Sequence, residues 1–82
     1  MVMYEAGMLA RSKAGHDKAQ MYIIKEVDDT YVYLVDGHIR TLGHPKKKKK
    51  KHVQIVHGIY NMKELDDAGI RKLIKDWMKE EK

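Results

Sequence analysis

The sequence predicts a mainly β chain, a small five-stranded barrel followed by a C-terminal α-helix. Short runs rich in β-branched and aromatic residues recur through the first two thirds of the chain, separated by turns built on Asp and Gly. Five such runs in so short a stretch imply a closed or nearly closed barrel, because closure removes exposed strand edges. Beyond residue 65 the apolar period becomes helical, with Ile70, Leu73, Ile74, Trp77 and Met78 on one stripe.

Met8-Leu9-Ala10-Arg11 is the first predicted strand, and residues 21–27 (MYIIKEV) are the second and strongest. Asp28-Asp29-Thr30 is a turn into residues 31–35 (YVYLV), so residues 21–35 form a hairpin. Alternation places Val32 and Leu34 inside and Tyr31 and Tyr33 outward or at the rim. Outward tyrosines can cover the barrel beneath the helix, the simpler expectation for amphipathic aromatics, or stack on bases. Asp36-Gly37 is the sharpest turn signal, since Gly accepts positive φ. It leads into a fourth strand, Ile39-Arg40-Thr41-Leu42. Gly43-His44-Pro45 and the lysines that follow form a mobile loop, and residues 53–56 form the last strand.

The helix is predicted over residues 66–80, with Asp66 as N-cap and Leu65 packing on Ile70 as a hydrophobic staple. Asp67 and Lys79 complement its dipole. Gly69 weakens its first turn by about 1 kcal/mol relative to Ala. The stripe is expected to dock on the barrel, because a domain this small needs the buried area. The rival is a partner-binding helix anchored by Trp77. The expected division is a barrel over residues 1–58 with a basic loop at 44–52, then a linker and amphipathic helix over 59–82.

Composition narrows the function. The 82 residues include no cysteine, which excludes disulfides, thiolate zinc sites and a cysteine nucleophile. Ser12 is the only serine, and no G-x-S-x-G, P-loop or H-E-x-x-H pattern occurs. Asp28-Asp29 and Asp66-Asp67 belong to a turn and a helix start. The five histidines, His16, His38, His44, His52 and His57, are scattered and form no ligand pair on one helix face. The expectation is a non-enzymatic protein with no catalytic residues, no cofactor and no metal. No apolar stretch approaches the roughly 20 residues that span a bilayer, and the first residues lack the features of a signal peptide. A monomeric, soluble cytoplasmic protein with no membrane partner is expected.

Charge supplies the partner. The formal net charge is +5, and six consecutive lysines, Lys46, Lys47, Lys48, Lys49, Lys50 and Lys51, account for all of the excess. Residues 1–58 carry eleven Lys/Arg against six Asp/Glu, whereas residues 59–82 carry six of each. A concentrated cationic segment beside a folded surface suits a polyanion, most commonly nucleic acid. Lysine is a point charge without a fixed fork, so such a run supplies affinity and does not read bases. As a mere charge run it would be a solvated segment serving solubility. A second basic segment, Arg11-Ser12-Lys13-Ala14-Gly15-His16-Asp17-Lys18, links the first two strands; Gly15 lets the backbone approach phosphate closely.

The stretch from Gly7 through this segment to Tyr22-Ile23-Ile24-Lys25-Glu26-Val27 looks like a KOW motif, a strand, a glycine-containing basic loop and a second strand. With Tyr31-Val32-Tyr33-Leu34-Val35-Asp36-Gly37-His38-Ile39-Arg40 and the Pro45-lysine run, it resembles small bacterial KOW-domain proteins. These are similar to the fourteen-e family of large-subunit ribosomal proteins of archaea and eukaryotes. The resemblance covers about residues 5–56. It departs at Ala19, where the family usually has glycine, and at His16, where a stronger base is common. It implies an SH3-like barrel that binds RNA, often ribosomal RNA, with ribosomal proteins as possible neighbours. The implied RNA-binding residues are those of the loop between the first two strands, Arg11, Lys13, Gly15, His16 and Lys18; Arg40, a planar donor near the barrel rim, and the six lysines join them on charge. A protein-interaction module using Tyr22, Tyr31, Tyr33 or the Trp77 face, and a non-specific polyanion binder, are the alternatives.

Overall fold

Five antiparallel strands form one curled sheet in the computed structural model, which describes residues 3–13 and 20–80. They are β1 (Met8–Ser12), β2 (Met21–Val27), β3 (Tyr31–Val35), β4 (Lys46–Lys49) and β5 (Val53–Ile59), in the order β4-β3-β2-β1-β5. A 3₁₀ turn, Lys50–His52, joins β4 to β5, and a second, Met62–Glu64, precedes α1 (Asp67–Glu80). No helix of the described residues is long and apolar enough to cross a membrane.

A contact between strands that are not neighbours shows the curl. β4 and β1 are separated in the sheet by β3 and β2, yet Lys48 Nζ donates to Ser12 Oγ at 2.9 Å. The Lys13 amide donates to the His52 carbonyl at 2.9 Å, one pair beyond Ser12 and Val53 in the neighbouring β1–β5 ladder. Register shifts in the β1–β5 pairing, and between Ile24 and Glu26 in the β2–β3 pairing, supply the local bending. The result is a curled five-stranded half-barrel with one C-terminal helix, as expected of a small SH3-like barrel plus helix.

The sheet is apolar on both sides. Ala10, Tyr22, Ile24, Val32, Leu34 and Val53 fill the inside of the curl. On the opposite face Leu9, Met21, Ile23 and Val35 meet Ile70 and Ile74 of α1. β2 is therefore buried from Met21 to Ile24 without interruption, the mark of a strand covered on both faces. The expected inward pair, Val32 and Leu34, is fully buried.

The helix forms where its stripe predicts. Asp66 Oδ1 accepts from the Gly69 amide at 2.7 Å, satisfying a first-turn donor. Leu65, Leu73 and Trp77 pack against the cluster that joins Ile70 and Ile74 to Leu9, Met21, Ile23 and Val35, so the stripe docks on the sheet. Met78, the last apolar position, stays 43% exposed.

Two expected elements are corrected. Residues 39–42 are not a strand. Asp36 Oδ1 accepts from the His38 and Arg40 amides, both at 2.8 Å, and Asp67 Oδ1 accepts from the Leu42 amide at 2.8 Å. Carboxylates thus take donors that a ladder would need, and Ile39 is left 77% exposed. Gly37 makes the turn at φ +76°. A Cβ there would run into the Asp67 carbonyl oxygen, while the Arg71 guanidinium donates to the Gly37 carbonyl. The second correction concerns the lysines. Instead of a mobile loop, Lys46 to Lys49 form the fourth strand, paired along the free edge of β3, and Lys50 and Lys51 enter the 3₁₀ turn.

Ile70→Val should lower the free energy of unfolding by about 0.5–1.5 kcal/mol, measured by denaturant titration. Removing residues 61–82 uncovers Leu9, Met21, Ile23 and Val35 and should lower the melting temperature clearly.

Candidate nucleic-acid interface

Strand pairing sorts the lysines by face. Leu34 lies opposite Lys46, Tyr33 opposite Lys47, Val32 opposite Lys48 and Tyr31 opposite Lys49. Directly paired residues share a face. Lys46 and Lys48 therefore stand on the inner side with Leu34 and Val32, their stems half-buried and their ammonium groups at the rim. Lys46 Nζ lies 5.7 Å from the Tyr22 ring centroid, and Lys48 Nζ reaches Ser12. Lys47 and Lys49 are exposed on the outer side with Tyr31 and Tyr33.

The 3₁₀ turn carries the charge around the edge. The Lys50 amide donates to the Thr30 carbonyl at 2.9 Å. Its Nζ donates to the Asp29 carbonyl at 3.1 Å and stands 5.7 Å from the Tyr4 ring centroid. The Tyr4 hydroxyl donates to the Lys50 carbonyl at 3.0 Å. Lys51 and His52 are exposed. Because the His52 carbonyl accepts from the Lys13 amide, the end of the lysine run meets the start of the loop between β1 and β2.

Arg11, Ser12, Lys13 and Gln54 line a shallow recess beside this junction; Arg11 is half-buried opposite Gln54, and Lys13 is exposed. At the other end of β4, exposed Arg40 shares a small recess with Tyr22, Asp36 and Lys46. One cationic band thus runs from Arg40 along β4 and through the 3₁₀ turn to Lys13. Gly15, His16 and Lys18, with Ala19, lie outside the described residues.

Sequence reasoning missed three members of this site. Ser12 anchors Lys48, His52 docks Lys13, and Tyr4 holds Lys50. Residue type and spacing carry no signal for these contacts, which depend on the curl and on the pairing of β1 with β5. The tyrosines also differ from the simpler expectation. Tyr31 and Tyr33 are half-buried but belong to neither core cluster, because α1 covers only Val35 on their side of β3. Lys47 Nζ sits 4.3 Å from the Tyr31 ring centroid, a cation–π distance. Trp77, the candidate partner anchor, packs against the core between helix and sheet.

The turn before β3 is fastened by Asp28. Its Oδ1 accepts from the Tyr31 and Thr30 amides at 2.6 and 2.9 Å, and its Oδ2 accepts from the Tyr33 hydroxyl at 3.0 Å. The Tyr31 amide, then the Thr30 amide, hold the carboxyl below its ordinary pKa, with help from the Tyr33 hydroxyl and Lys47. The same carboxylate raises the Tyr33 phenol, whose ionisation would cost the shared bond. Among the described residues, no three His, Cys, Asp or Glu side chains gather as metal ligands would. Neither a model of a known protein family nor a curated protein sequence matches this chain.

Asp28→Asn should bring the Tyr33 pKa back down toward 10.0, read by spectrophotometric titration of the phenol. The stability that Asp28 contributes should be fully present above its ordinary carboxylate value and lost as pH falls through its lowered folded value. Acid-unfolding curves of the wild type and Asp28→Asn should converge at the lowest pH and separate above that window.

Proposed function

We propose that this chain is a non-enzymatic RNA-binding module that acts in the cytoplasm on ribosomal RNA or at the ribosome. The continuity of the lysine strand with the entry to the first loop carries this reading. Two basic segments more than thirty positions apart in sequence are joined through Lys48 to Ser12 and Lys13 to His52. Both are segments on which the resemblance to KOW-domain proteins rests.

The mechanism is electrostatic. Alternate residues on one face of a strand stand about 6.7 Å apart, so Lys47 and Lys49 present charges at a set spacing, extended around the corner by Lys51. Ordering these backbones during folding spares the entropy that a mobile loop would lose on binding. Phosphate contacts of this kind fix position and carry no base preference. Arg40, with its planar fork, can bond phosphate bidentately or stack. Lys13, Gly15, His16 and Lys18 supply the loop contacts that the resemblance implies, and these decide which RNA is held.

The same lysines protect the fold. β4 is a sheet edge, and edge lysines, including inward-pointing ones, discourage pairing with another chain. This role alone would account for a charged strand. It does not account for the basic first loop beside it, and that favours a polyanion partner. The helix face offers a poorer protein-docking surface, because Trp77 is engaged in the core.

Crosslinking followed by sequencing of the bound RNA should recover a restricted set of structured RNAs, and the protein should co-sediment with ribosomal subunits. Engagement of Lys13, Lys47, Lys49 and Lys51 predicts a log–log salt slope of about −3 on single-stranded RNA. Changing Lys47, Lys49 and Lys51 together to serine should make the slope shallower by about 2, by fluorescence anisotropy over a salt series. Changing Lys13, Gly15 and Lys18 together should abolish discrimination among RNAs. If it leaves affinity and discrimination intact, the protein is a general polyanion binder.

A further inference from the structure

The outer face of β3 and β4 is unlike the rest of the sheet. α1 covers Val35, and the strand then runs out from under the helix, leaving Tyr31 and Tyr33 outside both core clusters. Lys47 and Lys49 stand beside them on β4. Two rings and two ammonium groups therefore share one exposed surface at the edge of the cationic band.

We propose that this surface, Tyr31 and Tyr33 flanked by Lys47 and Lys49, is a stacking platform for two unpaired bases of single-stranded RNA. The proposal rests on the RNA-binding reading and names the part of the RNA this face takes. Aromatic faces beside a cationic groove are the general means of holding single strands without reading sequence.

Three observations support the assignment. First, the Tyr31 ring face is met by an ammonium group, with Lys47 Nζ 4.3 Å from its centroid. A base can take that place while the flexible lysine moves to a neighbouring phosphate, keeping the face covered and adding a charge contact. Second, Tyr33 is held in place. Its hydroxyl donates to Asp28, whose other oxygen is held by two backbone amides, so ring order is established before binding. Third, charge across the platform is asymmetric. Tyr33 pairs with Glu26 on the β2 side and with Lys47 on the β4 side, and Glu26 is exposed. An RNA backbone is repelled from β2 and attracted to β4, which sends the phosphates along the lysines and turns the bases inward over the tyrosines. Of the two acids in the turn before β3, Asp28 already accepts three hydrogen bonds, and Asp29 shares a recess with Lys49, Lys50 and Lys51.

The test compares short oligoadenylate with an RNA duplex, using the full chain and fluorescence anisotropy. Tyr31→Ala and Tyr33→Ala should each weaken oligoadenylate binding by roughly tenfold and leave duplex binding unchanged. Tyr31→Phe should bind like the wild type. NMR spectra of the wild-type protein supply a readout independent of any variant, since stacking should move the ring protons of both tyrosines upfield when oligoadenylate is added. Ring resonances that stay in place, or alanine variants that lose duplex and single-strand binding equally, would overturn the platform. If duplex binding persists and depends on the lysines, the RNA-binding reading survives that result. If the wild type binds neither RNA, both fall. Ring resonances that respond only to ribosomal proteins would reassign the face to a protein contact and overturn the proposal.

Discussion

Met21 and Ile23 of β2 lie against α1, while Tyr22 and Ile24 line the inside of the curl. Burial of this one strand on both faces is the constraint on which the molecule depends. A five-stranded sheet of this length has little interior of its own, and burying a large aliphatic side chain contributes about 1.5–3 kcal/mol. The helix provides the second layer. Its attachment is also polar, because Asp67 and Arg71 bind the turn that leaves β3. That turn in turn delivers the lysines to the edge of β3.

Once the sheet curls, distant basic segments become one surface. Lys48 reaches Ser12 although β4 and β1 are not neighbours in the sheet, and the Lys13 amide meets the His52 carbonyl where the β1–β5 pairing continues past the strand ends. Backbone pairing converts a homopolymeric stretch into an ordered one. It gives six identical residues different work, with Lys46 and Lys48 at the mouth of the curl, Lys47 and Lys49 beside the tyrosines, and Lys50 and Lys51 rounding the corner. A strand that must remain an unpaired edge is also well served by charge.

Much of the fold was legible in the residues. The hairpin at 21–35, the inward Val32 and Leu34, the turn at Asp36-Gly37 and the capped helix each carry strong local signals in β-branched runs, turn chemistry or helical spacing. The fourth strand was not legible. Lysine has little intrinsic preference for strands, and six identical residues have no apolar alternation to declare a face or a register. Ile39-Arg40-Thr41-Leu42 looked better by composition. The donors of that segment are taken by Asp36 and Asp67, and the second of these is twenty-five positions away from the amide it accepts, at Leu42.

By itself the sequence determined the element types along most of the chain, the concentration of positive charge and the absence of cysteine chemistry. These follow from composition and short-range periodicity, which act within a few residues. Only the tertiary structure decided that four of the lysines form a strand, which of them face inward, that the run adjoins the first loop, and that Tyr31 and Tyr33 stand outside the cover of the helix. Those outcomes depend on where a free strand edge and a helix end fall in space. They are set by pairing and packing between segments far apart in the chain, and no local pattern of residues encodes them.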